Sequence, residues 1–468
     1  QSYRLYVIYF DFLVLLFSNS LGLHSGYYYL ELKIFVKFLI PNNIIAGFLM
    51  FLLGLTTIEI FQIPADRYGK YIYHLFVITF IAMSLRKTRR DDSKSTFATG
   101  IFISASLALQ VIVGLAITYI FILTFWPDLF PTSGFLLMLG FGQGPGQAYS
   151  IGSTWEPIGF ENAANLGLTF AAIGYIWAII VGLFLVKAYD KRMKRIKKVD
   201  FAEKPNNTGI IKEIEEQPSA GELSTHNSAI DGFTFQVALV LGVYLITVLA
   251  LKGVEKIFGL LIQSESVVEQ LVGLLWGLHF IFGALFAILI RKIMQRLGWG
   301  NIINNGLMTR ISGSSLDFLV TAAIAAISIS VILDYLIFIV VTTTVGGLVT
   351  LWFVISEVRK SNFGNKFERI LALFGTLTGT LTTGLTLTRI LDPDLKSKAA
   401  RDIVFGAGIA VPFIVPVFAS MIVPVLGIEN GEMHKYFIIN YAALVAYFIG
   451  LFVAWRYYSK KMKVPGLK

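Results

Sequence analysis

Cysteine occurs nowhere in the 468 residues. Its absence excludes structural disulfides, thiolate nucleophiles and cysteine-held metal centres. Charge is nearly as scarce: Asp, Glu, Lys and Arg make up 15% of the chain, against about 25% in an ordinary soluble protein. The usual signatures of enzymatic sites are missing as well. There is no HExxH pair, no P-loop and no nucleophile elbow, so the chain is expected to be no enzyme and to hold no cofactor.

What fills the space is apolar. Hydrophobic residues make up 56% of the chain and aromatic residues 14%, and the mean hydropathy is +0.71. Runs such as FQVALVLGVYLITVLAL (235–251) and LVGLLWGLHFIFGALFAILI (271–290) approach or reach the roughly 20 apolar residues that cross a bilayer. The expected fold is an all-α polytopic membrane protein whose surroundings are lipid. Eleven spans are predicted near 3–22, 43–61, 71–85, 98–125, 162–187, 232–251, 268–290, 311–332, 334–356, 402–425 and 434–456. The first lacks a basic leader and a small-residue cleavage site, so it is expected to be a retained span rather than a signal peptide.

The formal charge of +10 does not point to nucleic acid, because the basic residues sit in short loops beside apolar runs. RKTRRDDSK (86–94), KAYDKRMKRIKK (187–198), RKIMQRLGWG (291–300), EVRKSNFGNKFER (357–369) and RYYSKKMK (456–463) all fall on one side of the predicted topology. That side is the cytoplasm by the positive-inside rule, which puts the N-terminus outside and the C-terminus inside. Residues 199–230 turn abruptly polar and rich in Glu, Asn, Pro and Ser, as in a mobile cytoplasmic linker. The sequon Asn206-Asn207-Thr208 within it is then a chance match.

Five spans precede the linker and six follow it. An odd first half makes the second half enter from the opposite face, which is the arithmetic of an inverted repeat. The boundaries expected are 1–187 for the first repeat, 188–231 for the linker, 232–426 for the second repeat, and 427–468 for an extra C-terminal helix with a basic tail. Two stretches fit no span: roughly 133–155, which includes GFGQGPGQAYSIGSTW (140–155), and 367–393, FERILALFGTLTGTLTTGLTLTRILDP. Each lies between the fourth and fifth spans of its half, so each is a candidate re-entrant hairpin, one dipping from outside and one from inside. Laying Phe141-Gly142 on Phe374-Gly375 also brings Gly146 onto Gly379.

Irregular backbone at membrane depth is tolerated only where protein or a polar cavity satisfies its peptide groups, and the same groups can bind a solute or an ion. Glycine permits positive φ and close approach, and Pro145 stops helix propagation. The first tip therefore offers Gly142, Gln143, Gly144, Pro145, Gly146 and Gln147. The second offers Thr376, Thr378, Gly379, Thr380 and Thr383, with Thr386 and Thr388 beyond. Carbonyls and hydroxyls are hard ligands that suit Na⁺, and Gly144, Asn165, Thr378 and Thr382 are the candidates for it. The plainer alternative is that the glycines only allow close packing while the threonines bond back to their own helix.

Other polar residues have two readings each. Arg389 either grips a substrate carboxylate or pairs with Asp392 or Asp394. Asn162 and Asn165 either serve the site or cap the fifth span. Asp317 is either an ion site or interfacial, while Asp11, His74 and His279 either relay protons or pack. GFGQGPG is not a dinucleotide fingerprint, because position 145 is proline and no strand precedes it. Thr344-Val345-Gly346-Gly347 lacks the Tyr-Gly ending of a potassium filter.

Gly142-Gln143-Gly144-Pro145-Gly146-Gln147-Ala148 followed by Gly159-Phe160-Glu161-Asn162-Ala163 resembles the sodium/glutamate symporter family. So do Phe38-Leu39-Ile40-Pro41, Ile45-Ala46-Gly47 and Ile81-Ala82-Met83-Ser84-Leu85. The resemblance runs through most of the first half. It implies a homodimer of inverted five-helix repeats in a bacterial inner membrane, each with a re-entrant hairpin. It further implies Na⁺-coupled uptake of glutamate between the hairpin tips by an elevator movement. Where better-known members read Gly-Phe-Gly-Leu-Gly in the second hairpin, this chain has Gly375-Thr376-Leu377-Thr378-Gly379. A channel or passive anion pathway, or a scaffold or receptor without transport, are the alternatives.

Overall fold

The computed structural model describes residues 42–55, 63–86, 94–197, 231–262, 265–392 and 397–461. The predicted first span, Asp11, the 199–230 linker and Asp394 lie outside them. Among the described residues every regular element is helical. In chain order these are α1 (Asn42–Gly54), α2 (Ala65–Leu85), α3 (Lys94–Thr124), α4 (Phe135–Met138) with a π-helical turn (Leu139–Gln143), α5 (Pro145–Trp155) and α6 (Ala163–Lys197). After the linker come α7 (Gly232–Leu261), α8 (Glu265–Gly277), α9 (His279–Arg296), α10 (Asn305–Ala325), α11 (Ile329–Asp334), α12 (Leu336–Lys360), α13 (Lys366–Arg389), α14 (Lys398–Ala419), α15 (Ile422–Glu429) and α16 (Met433–Lys460).

By length and composition eight helices among the described residues could cross a membrane, one of them α13, which is broken at Gly379 and Thr380, and the pair Leu271–Gly277 and His279–Arg296, bent by 59°, makes a ninth if taken as one span. Among the described residues the eleven expected spans are matched in part. Of the span expected at 43–61, the described part is a helix that ends at Gly54, and residues 56–61 lie outside the described residues. The one expected at 311–332 is α10, in which Arg310, Asp317 and a run of Gly and Ser dilute the apolar character, and the chain breaks before α11.

The helices form two units that do not follow the two sequence halves. One contains α1, α2, Tyr149–Ile158 and α7 to α10; the other contains α3, α4, the first turn of α5, α6 and α11 to α16. Each unit thus draws on both predicted repeats.

In the first unit α2 packs on α9 and α10, and α1 on α10. Small residues permit the approach: a methyl at Gly47 would stand 2.7 Å from Ile324 Cβ, and one at Gly283 3.1 Å from Ile81 Cγ1. Phe76, Phe80 and Phe280 cluster with centroids 4.8–5.0 Å apart. Arg291 donates to the carbonyls of Ser84 (2.9 Å) and Arg86, neutralising the negative end of α2. His279 stacks on Tyr73 at 3.8 Å and His74 bonds to Tyr244 at 2.6 Å, so both histidines pack against tyrosine. Asp317 is exposed and accepts from Asn43 Nδ2 at 2.8 Å.

The second unit is built round α3, which is apolar on all sides and buried along most of its length, as expected of a helix with no solvent face. At its start, Gly100 and Gly406 let α3 and α14 meet at backbone distance. Beside them lies a fully enclosed ion pair. Arg369 of α13 donates to Asp402 of α14 at 2.6 Å and to Thr99 at 2.9 Å, and its guanidinium lies 4.0 Å from the Phe363 ring centroid. Asp402 also accepts from Ser95 and, at 2.9 Å, from Thr96. The two side chains are 1% and 0% exposed. A second pair, Glu357 with Arg456, joins α12 to α16 through both carboxylate oxygens at 2.7 and 2.8 Å.

A buried pair costs little while intact, but leaves an uncompensated charge when halved. Asp402→Ala is therefore expected to destabilise the protein by about 3–5 kcal/mol, read as a fall in melting temperature in detergent. A surface change such as Lys435→Ala, in an exposed pair, should shift it little.

Candidate functional site

Two helices in the second unit are broken by a residue with the same unusual backbone. Gly144 has φ 91° and ψ 176°, and Thr380 has φ 80° and ψ 165°. This region is essentially reserved for glycine, and a side chain there costs about 1–3 kcal/mol. At each break the chain turns back on itself.

For the second break the reversal is direct. A methyl at Gly375 would lie 2.7 Å from Gly384 Cα, although nine residues along a straight helix span about 13 Å. The legs of α13 are thus antiparallel, touching at Gly375 and Gly384. Along α6, Phe367 stacks on Tyr189 at 4.0 Å, Thr378 O abuts Gly174, and Leu387 abuts Gly182. The first leg climbs α6 from its C-terminal end and the second descends.

The first break runs the other way. Gly140 meets Phe170 and Ala171 of α6, Phe141 meets Gly174, and Ala148 then returns to Gly167. The leg formed by α4 and the π-turn follows the direction of α6, and the start of α5 comes back. The two hairpins enter from opposite ends and meet at the level of Gly174: a methyl on Gly144 would stand 2.5 Å from Thr380 Cγ2. The glycine overlay of the two sequences puts Leu377 opposite Gly144, whereas the structure puts Thr380 there. The register is off by three residues, because the turn falls on the residue with positive φ and not on a glycine.

Each tip presents both polarities of helix end. The first leg finishes on carbonyls without helical partners and the return leg opens on N–H groups. Gly142, Gln143, Thr380 and Leu381 are partly exposed and Thr382 is exposed, while Pro145, Gly146, Gln147, Thr376, Thr378, Gly379 and Thr383 are buried. The threonines divide into two groups. Thr378, Thr383, Thr386 and Thr388 bond back to the carbonyls of Phe374, Gly379, Thr382 and Gly384 at 2.5–2.9 Å, as the plainer reading expects. Thr380 and Thr382 share a bond at 3.1 Å at the tip, and the Thr376 hydroxyl has no partner among the described residues.

Two expected residues do not join this group. Asn162 is exposed, with φ 60°, at the start of α6, about 18 Å along the helix from Gly174. Its carbonyl accepts Leu166 N at 2.9 Å, a helix-start role. Asn165 lies about 13 Å from that level, so Gly144, Asn165, Thr378 and Thr382 do not gather round one ion. Arg389 ends α13, and its side chain lies outside the described residues. Asp392, one of its expected partners, accepts Ser397 N at 2.8 Å.

Two residues were not singled out by sequence. Gly174 is where both hairpins touch α6. Gln110, on α3, is 2% exposed and donates to Leu377 O at 2.8 Å and Thr350 Oγ1 at 3.1 Å. As an amide within the apolar run 98–125 it carries a signal, but one whose partner no spacing predicts.

Among the described residues there is no group of three His, Asp or Glu side chains able to hold a metal. No protein-family model, curated protein or solved structure matches the chain.

Because Gly144 and Thr380 share one backbone conformation, their substitutions are expected to have opposite signs. Gly144→Ala should destabilise by about 1–3 kcal/mol from backbone strain alone. Thr380→Gly should stabilise by about 1 kcal/mol, the strain released less the entropy glycine adds. Thermal unfolding of the two variants in one detergent checks both.

Proposed function

We propose that the chain is a secondary active transporter carrying a small anionic solute, with glutamate as first candidate, in symport with Na⁺. The observation that carries this reading is the meeting of two oppositely directed hairpins at Gly144 and Thr380. Broken helices that face one another offer helix-end donors and acceptors where a solute can use them. The N–H ends of the return legs favour an anion, and the carbonyl ends of the first legs favour a cation. With no acidic cluster among the described residues, carbonyl and hydroxyl oxygens are the available ligands for the coupling ion.

In this reading the two halves are inverted five-helix repeats within an eleven-span chain, each giving one hairpin. The unit that holds both tips is the moving body of an elevator. The protein is a homodimer in a bacterial cytoplasmic membrane, with its N-terminus outside and its basic loops and C-terminus in the cytoplasm. The resemblance of the first hairpin to sodium/glutamate symporters supports the choice of solute and ion. The extra hydroxyls of the second hairpin are compatible with a related carboxylate in place of glutamate.

Purified protein in proteoliposomes tests the proposal. Labelled glutamate is expected to accumulate under an inward Na⁺ gradient, to saturate with glutamate, and not to accumulate under K⁺ alone. Absence of uptake under Na⁺, K⁺ and H⁺ gradients would remove glutamate as the solute. Flux that is insensitive to Na⁺ and does not saturate would replace symport with a passive pathway.

A further inference from the structure

The helices of the second unit gather one sign of charge at one end. Asn362, between α12 and α13, donates to Lys460 O at 2.9 Å. Asp402 of α14 accepts from Arg369 of α13 and from Ser95 and Thr96 of α3. The ends of α12 and α16 and the starts of α3, α13 and α14 therefore lie together. Lys94, Lys360, Lys366, Lys398, Lys460 and Lys461 are exposed there. Asp402 and Glu357 do not offset this charge, because they are buried and already bonded to Arg369 and Arg456. At the other end of the same helices, where Trp126 meets Tyr335 and Tyr119 meets Phe437, the sign reverses. Asp128, Asp334 and Glu432 are exposed at that end, and Lys435 pairs with Glu432.

The basic end adjoins an apolar seam. α14 and α16 both pack on α3, and Tyr447 of α16 donates to Phe413 O of α14 at 2.7 Å. Phe97 of α3 has its ring centroid 6.1 Å from that of Phe413 and 5.1 Å from that of Tyr458. All three rings are partly exposed. On α16, Ile449, Val453 and Tyr457 are 53%, 60% and 52% exposed, and their four-residue spacing makes them one ridge. The ridge runs on to Lys461, whose Nζ donates to the Tyr457 hydroxyl and lies 4.1 Å from its ring centroid. Lys94 is close enough to act on Tyr457 through its charge. Lys398 lies one turn before Asp402, which meets Ser95, the residue after Lys94.

An apolar ridge that ends in a cluster of cations fits an amphiphile with an anionic head. A free anion would use the lysines and leave the ridge bare. A second copy seated here about a two-fold axis would bring the same lysines against each other. We infer that the seam between α14 and α16 binds an anionic phospholipid, its phosphate among Lys94, Lys398 and Lys461 and its acyl chains along the ridge and the seam rings. Basic residues beside membrane helices bind such headgroups, and Lys461 is held in place for this by the Tyr457 ring. The site does not depend on the transport reading.

The experiment uses the purified full chain in detergent and follows bound lipid by native mass spectrometry. Phosphatidylglycerol is titrated against phosphatidylcholine, and inorganic phosphate is added as a competitor. Wild type is expected to retain phosphatidylglycerol in preference to phosphatidylcholine, with inorganic phosphate failing to displace it. The triple variant Lys94→Gln, Lys398→Gln, Lys461→Gln is expected to bind phosphatidylglycerol about a hundredfold more weakly, the loss of three cations near an anionic headgroup. A control triple at the same end, Arg359→Gln, Lys360→Gln, Lys366→Gln, is expected to bind as wild type does. Equal weakening by both triples makes the charge a diffuse field and overturns the site. Equal retention of the two lipids, or displacement by inorganic phosphate, overturns the choice of ligand. A seam variant that changes the number of chains per particle and not the lipid bound gives the surface to a second copy, and also overturns it. If the triple variant is recovered unfolded, Lys461→Gln alone is measured, with an expected loss of about fivefold.

Discussion

A peptide group in an apolar interior has no water to turn to, and a helix break strands several of them at once. Much of the second unit can be understood as the answer to two such breaks. Thr383 of the return leg bonds across the break to the carbonyl of Gly379, and Gln110 takes the carbonyl of Leu377. Gly375, Gly384 and Gly174 let backbone approach backbone, so that little space is left unfilled round the turns. Among the described residues, buried side-chain atoms near the turns that stay without partners include Gln110 Oε1, Gln147 Oε1, Asn165 Oδ1 and Thr376 Oγ1.

The buried charges belong to the same construction at the far end of the hairpin. Arg369 lies on the first leg of α13, about three turns before the tip, and is tied through Asp402 to α14 and through Thr99 to α3. A pair of this kind contributes less to net stability than to selecting one arrangement of the three helices, since any other arrangement leaves a bare charge in an apolar setting.

Apolar run length was enough to find the long helices, and glycine and proline content was enough to find both breaks. The limits were physical. The turn at Thr380 depends on a backbone angle that threonine seldom adopts, so an overlay of glycines set the register three residues early. Asn162 looked close to the tip because it is close in sequence, yet α5 and the start of α6 carry it away. The threonine run gave no means of telling back-bonded hydroxyls from those at the tip, since that depends on which residues are helical on either side of position 380. Gln110 is a single amide in a long apolar helix; its meaning appears only when Leu377, 267 residues away, is seen beside it.

Gly144 and Thr380 are related as lock and filler. The methyl of Thr380 occupies the place that any side chain at 144 would need, and the two positions come from opposite halves of the chain. A side chain at 144 therefore needs a smaller residue at 380, whereas Thr380 is free to lose its side chain alone. The pair thus makes a one-way constraint on size at the place where the two hairpins touch.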